Sequence, residues 1–103
     1  MDRNEIVAKL RAQRPRLQSL GVRTVSLFGS AARGDDTADS DVDIAVRLDE
    51  KFSNGGFDYF AKLEALRAEF SSVLGRPVDL VEEPVRTPRI QAAIDKDRII
   101  AVQ

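Results

Sequence analysis

A chain of 103 residues with 43% hydrophobic and 32% charged content suits one globular domain with a single core, which sets the expectation of one domain over 1–103. A formal net charge of −1 gives no basic footprint, so direct nucleic-acid binding is not expected. Cysteine and histidine are both absent, which excludes disulfides, thiolate metal sites and the commonest general base, and leaves catalysis to carboxylates, hydroxyls, lysine or a metal ion. The start, MDRNEIVAKL, lacks the apolar core of a signal peptide, and no apolar run approaches a membrane span. A cytoplasmic protein without membrane contact is expected.

In chain order, Ile6, Val7, Leu10, Leu17 and Leu20 are spaced for one helical face over 3–20. Pro15 should split that helix in two, and Gly21 should end it. A first strand is predicted over 24–28, a short helical turn over Ser30 to Arg33, and a second strand over 41–48. Ser53-Asn54-Gly55-Gly56 reads as a mobile loop. The clearest helix follows from Phe57 to Leu74, with Phe57, Phe60, Leu63, Leu66, Phe70 and Val73 on one side, Gly75 as its cap and Pro77 as its barrier. Such a stripe is read as core rather than ligand pocket. Residues 78–82 form a third strand, Thr87-Pro88 opens a last helix ending near Lys96, and Ile99 to Val102 make a short edge strand. The fold class is α/β (α+β): a small mixed sheet covered by helices.

The informative stretch runs from Val25 to Val46, VSLFGSAARGDDTADSDVDIAV. An apolar strand breaks at Gly29-Ser30, and a second strand opens on Asp41-Val42-Asp43, where alternation sends both carboxylates the same way. Two such charges about 4 Å apart repel by roughly 4 kcal/mol at an effective dielectric near 20. A cation would offset that cost. Glycine lets a backbone approach a ligand closely, and free N–H groups with the Ser30 hydroxyl suit phosphate oxygens. Magnesium takes one or two carboxylates and leaves its other positions to water and substrate phosphates. Asp79 sits in an otherwise apolar Val-Asp-Leu-Val run, where a lone carboxylate is costly without a partner or a task. Should strand three lie beside strand two, Asp79 completes a three-carboxylate site able to hold metal and to take a proton from an attacking hydroxyl.

Gly29-Ser30, ten residues, then Asp41-x-Asp43 resembles the signature of the DNA polymerase β-like nucleotidyltransferases. The fuller LFGSAARG, SDVDIAV and VDLV resemble the minimal nucleotidyltransferase (MNT) proteins, from about Val22 to Glu83. The resemblance implies the polymerase β-like nucleotidyltransferase fold, with Asp41 and Asp43 binding Mg²⁺, Asp79 as third acid, and Gly29 and Ser30 on the triphosphate of ATP. Arg33 and Ser40 fit the nucleotide-binding pattern; Arg33 either contacts phosphate or braces the loop on an aspartate. The resemblance further implies a partner, a HEPN-domain RNase toxin that an MNT antitoxin neutralises by moving AMP from ATP to a tyrosine hydroxyl. Two rivals stand beside this: a binding antitoxin with a vestigial site, and a small-molecule transferase similar to the aminoglycoside enzymes, which lacks an acceptor domain here.

Simpler motifs fail on the same residues. Asp39, Asp41 and Asp43 space like a calcium loop, but Ile44 stands where glycine must make the sharp turn. Gly29-x4-Gly34 begins like a P-loop, yet Asp35-Asp36 occupy the lysine and hydroxyl positions. Ser30 has no histidine to activate it as a nucleophile. Lys62 is read as a solvated helix lysine in preference to a phosphate ligand, and Tyr59 as a packing or surface residue.

Overall fold

Six helices and four strands follow one another in the computed structural model, which describes residues 1–54 and 58–103. Helix α1 (Arg3–Arg11) starts on Asp2, whose carboxylate accepts the Glu5 N–H at 2.9 Å. The predicted break is real, but Pro15 does not sit inside a helix: it lies in the first turn of α2 (Arg14–Leu20), where its missing N–H costs nothing. Gly21 closes α2 at φ 96° and sits so close to Asp49 that a Cβ there would lie 2.5 Å from its Oδ1. Strand β1 (Val22–Phe28) therefore begins two residues earlier than the pattern suggested.

A one-turn helix α3 (Gly29–Arg33) and a polar loop lead to β2 (Val42–Leu48). A second short helix, α4 (Glu50–Ser53), was not expected and takes up the first residue of the predicted loop; Asp49 caps it by accepting the Lys51 and Phe52 N–H groups. Gly55 and Gly56 of that loop, and Phe57 of the predicted helix, lie outside the described residues. Helix α5 (Tyr59–Leu74) then crosses back to β3 (Val78–Glu82), α6 (Pro88–Asp97) follows, and β4 (Ile99–Val102) ends the sheet.

The sheet order is β3-β2-β1-β4, with β2/β3 parallel and the other two pairs antiparallel. Val25 and Leu27 of β1 pair with Val46 and Ile44 of β2, and these side chains face one core with Ile6, Leu10 and Leu17 of α1 and α2 and Leu66, Phe70 and Leu74 of α5. The apolar stripe of α5 departs from expectation at its start. Phe60 is 77% exposed, and Tyr59 takes the inward position, meeting Phe52 edge-on at 6.1 Å. Residues two apart on a strand share a face, so Ser26, Phe28, Asp43, Ala45, Asp79 and Val81 look to the other side of the sheet. Helix α6 rests on that side against β1 and α3, with Ile94 fully buried.

Candidate active site

Antiparallel pairing sets the end of β1 beside the start of β2, and parallel pairing sets the start of β3 along the other edge of β2. Phe28 is thus paired with Asp43, and Asp43 with Asp79. Thirty-six positions apart in sequence, the two acids are direct neighbours on one face. Gly29 turns the chain out of β1 at φ 73°, a conformation that favours glycine. A Cβ on it would stand 2.2 Å from Asp43 Oδ2, so this residue must lack a side chain for the carboxylate to lie against the bend. Asp41 is not on the strand, as alternation had it; it is exposed at the end of the loop, one residue before β2.

Burial, then the charges of Asp79 and Asp41, push the Asp43 carboxyl above its ordinary range, with Arg33 opposing them. A donor set of hard oxygens whose charges repel one another is the chemistry that suits a divalent cation. Its present geometry is open: among the described residues, no three acidic side chains converge closely enough to enclose an ion. The residues fit such an ion as ligands on a shared edge, and not as a ready-made cage.

The other predicted site residues are braced within the protein. Arg33 donates from Nη1 to Asp97 at 2.7 Å and from Nε to Asp35 at 3.3 Å, the bracing alternative of its two expected roles. Ser40 turns its hydroxyl to Thr37, accepting that N–H at 3.1 Å. Ser30 is half-buried in the first turn after the bend. Lys62 reaches neither solvent alone nor the acids; it donates to the Asn54 carbonyl at 2.7 Å and to that of Phe52 at 3.3 Å, tying α5 to the end of α4.

Two features were not anticipated. Arg76, between α5 and β3, pairs with Asp36 and donates to two carbonyls of the loop before Asp41. Behind the acids on the same face, Glu83 is fully buried, held by both ends of the Arg98 guanidinium and by Gln91 at 2.9 Å, while Arg98 also donates to buried Ser26. A local signal existed only for Glu83, the second acid of a Glu-Glu pair closing an apolar strand.

Residues 7–101 match the family model for the nucleotidyltransferase domain. The chain belongs to this family. A Methanocaldococcus jannaschii protein named as a protein adenylyltransferase is 35% identical over 79 residues, which cover 76% of this chain and 75% of the relative. A second protein of that name from the same organism is 35% identical over 100 residues, covering 97% and 92%. A solved structure described as a minimal nucleotidyltransferase superposes with a TM-score of 0.74 at 28% identity, covering 96% of this chain and 95% of its own. A toxin–antitoxin crystal structure with AMP-PNP gives a TM-score of 0.64 at 25% identity, covering 98% and 73%. The same fold recurs in a Shewanella oneidensis MNT antitoxin complexed with its tri-AMPylated HEPN toxin, at 22% identity and a TM-score of 0.55 over 96% and 67%. The mixed four-stranded sheet is thus the polymerase β-like nucleotidyltransferase fold.

Proposed function

We propose that this nucleotidyltransferase is an antitoxin that moves AMP from ATP to a tyrosine hydroxyl of a HEPN-type toxin and so neutralises it. The observation that carries the reading is the parallel register that sets Asp79 beside Asp43, next to the Gly29 bend. Support for a protein acceptor comes from relatives named as protein adenylyltransferases, and support for a toxin partner from the nucleotide-bearing toxin–antitoxin complex of the same fold. In this reading Asp41, Asp43 and Asp79 would hold Mg²⁺, which supplies charge neutralisation for the phosphates. Gly29 and Ser30 cradle the triphosphate through backbone N–H and hydroxyl donors. The Asp79 carboxylate takes the proton of the tyrosine hydroxyl; the phenolic oxygen bonds to the α-phosphorus, and the bond to pyrophosphate breaks. Arg33 and Ser40 hold the loop and contribute to nucleotide binding through it.

The test is incubation of ³²P-α-ATP, Mg²⁺, this chain and the HEPN-type protein. Label on the partner that disappears in Asp43→Asn and Asp79→Asn, and on chelation, is the expected result. Neutralisation that survives in those variants without any label on the partner would replace the transferase reading with neutralisation by contact.

A further inference from the structure

Arg76 belongs to no motif, and nothing in the reading above uses it, yet it holds the loop that delivers Asp41. Its side chain is 9% exposed; Nη1 pairs with Asp36 at 2.8 Å, and Nη2 donates to the Thr37 carbonyl at 2.8 Å and the Ser40 carbonyl at 2.9 Å. Asp36 is itself only 15% exposed, and the Arg76 hydrogen bond holds its carboxyl below the ordinary range. One side chain therefore grips residues 36, 37 and 40, ending one position before Asp41. The Arg76 backbone is fixed in turn: its carbonyl accepts the Ser71 hydroxyl at 2.7 Å, and the next carbonyl, of Pro77, accepts the Val42 N–H at 2.9 Å. Three residues further on comes Asp79. Arg76 stands between the loop carrying one outer acid and the strand carrying the other.

We propose that Arg76 is a positioning residue that sets the spacing of Asp41 from Asp43 and Asp79, and so the affinity of the site for a divalent cation. The claim rests on the nucleotidyltransferase reading of those acids. Their side chains do not enclose an ion by themselves, so the outer carboxylate needs an external restraint, and the hydrogen bonds between Thr37 and Ser40, at 3.0 to 3.1 Å, close the loop on itself without tying it to the strand that carries Asp79. A planar guanidinium serves a carboxylate and two carbonyls at once; a lysine ammonium is a point charge that cannot hold the same fork.

The experiment measures the Mg²⁺ concentration needed for half-maximal binding of AMP-PNP, together with amide hydrogen exchange over residues 34–42 in chelator, for wild type, Arg76→Met and Arg76→Lys. The Met variant is expected to need at least tenfold more Mg²⁺ and to lose protection over 34–42 while β1 and α5 keep theirs; the Lys variant should fall between. Folded Arg76→Met with a Mg²⁺ midpoint within twofold of wild type would overturn the positioning role alone. Loss of protection spread evenly over the whole sheet in both variants would also overturn it, by making Arg76 a general stability residue. Wild-type chain that binds no Mg-AMP-PNP would sink the reading of the acids, and the positioning role with it.

Discussion

At the scale of single residues, the site is costly to the fold. Asp43 is crowded by burial and by two like charges, so its carboxyl holds a proton more tightly in the folded chain than in the unfolded one. A raised folded value means that the penalty is absent below the unfolded value, near about 4, and fully present once pH exceeds the folded value. Asp43→Asn is therefore expected to raise the Tm of metal-free protein at pH 7 by roughly 2–5 °C, with the gain vanishing near about pH 3, while Mg²⁺ with AMP-PNP raises the Tm of wild type only. Thermal melts in chelator across that pH range check both signs. Gly29→Ala acts on the same contact from the other side. The left-handed backbone costs a side chain about 1–2 kcal/mol, and the added methyl drives Asp43 out of place, so stability should fall by about that amount and the proposed AMP transfer should be lost. Denaturant melts and the label assay report the two effects separately. The approach of Asp43 to Gly29 was legible because a close-approach glycine and a carboxylate opening a strand are local patterns, whereas Asp41 lies off the strand that alternation gave it. Arg76 was not, since its partners are carbonyls 36 and 39 positions away and no spacing in a sequence marks a backbone acceptor.

At the scale of elements, periodicity located the strands and the long helices but not the irregular joints. Helix α4 is a single turn, too short to show a repeat, and its signal was the Asp49 cap ahead of buried Phe52. Phe60 went wrong for a related reason: near a helix start, Tyr59 and Phe60 both fit a stripe leading to Leu63, and packing on Phe52 selected Tyr59. The joint between β3 and α6 depends on charge. Arg98, at the end of α6, satisfies Glu83, just past the end of β3, whose side chain is wholly buried. Removing one partner of such a pair leaves a buried charge, so Arg98→Met should cost about 3–5 kcal/mol, and Glu83→Gln with Arg98→Met considerably less than the sum of the single changes. The Arg98 hydrogen bond, aided by Gln91 and Arg47 against the effect of burial, holds the Glu83 carboxyl below its usual range. A depressed folded value gives stability that is complete above the unfolded value, near about 4.3, and lost as pH falls through the lower folded one. Urea melts of wild type between pH 6 and pH 3 should show that loss, and the double variant should show less of it.

At the scale of the whole molecule, one core joins everything that builds the site. Apolar contact runs from Ile6 and Leu10 on α1, through Val25 and Ile44 in the central strands, to Phe70 on α5 and Val102 on β4. Asp43 and Asp79 sit near the starts of two strands of that same sheet and Asp41 one residue before β2, so the site has no scaffold of its own to fall back on. A domain of this size holds about 5–15 kcal/mol in total, and Phe70→Ala removes about 3–5 of it by emptying a fully buried position. With a urea slope of about 1–3 kcal/mol/M, the midpoint should fall by roughly 1–5 M with the slope unchanged. Circular dichroism, exchange protection in α1 and α5, and Mg²⁺-dependent AMP-PNP binding should all be lost at one urea concentration, in wild type and in Phe70→Ala alike. Nucleotide binding that persisted after α1 had unfolded would divide the molecule into an independent site and a dispensable cover, and the shared core would no longer account for how the three acids are kept on one edge.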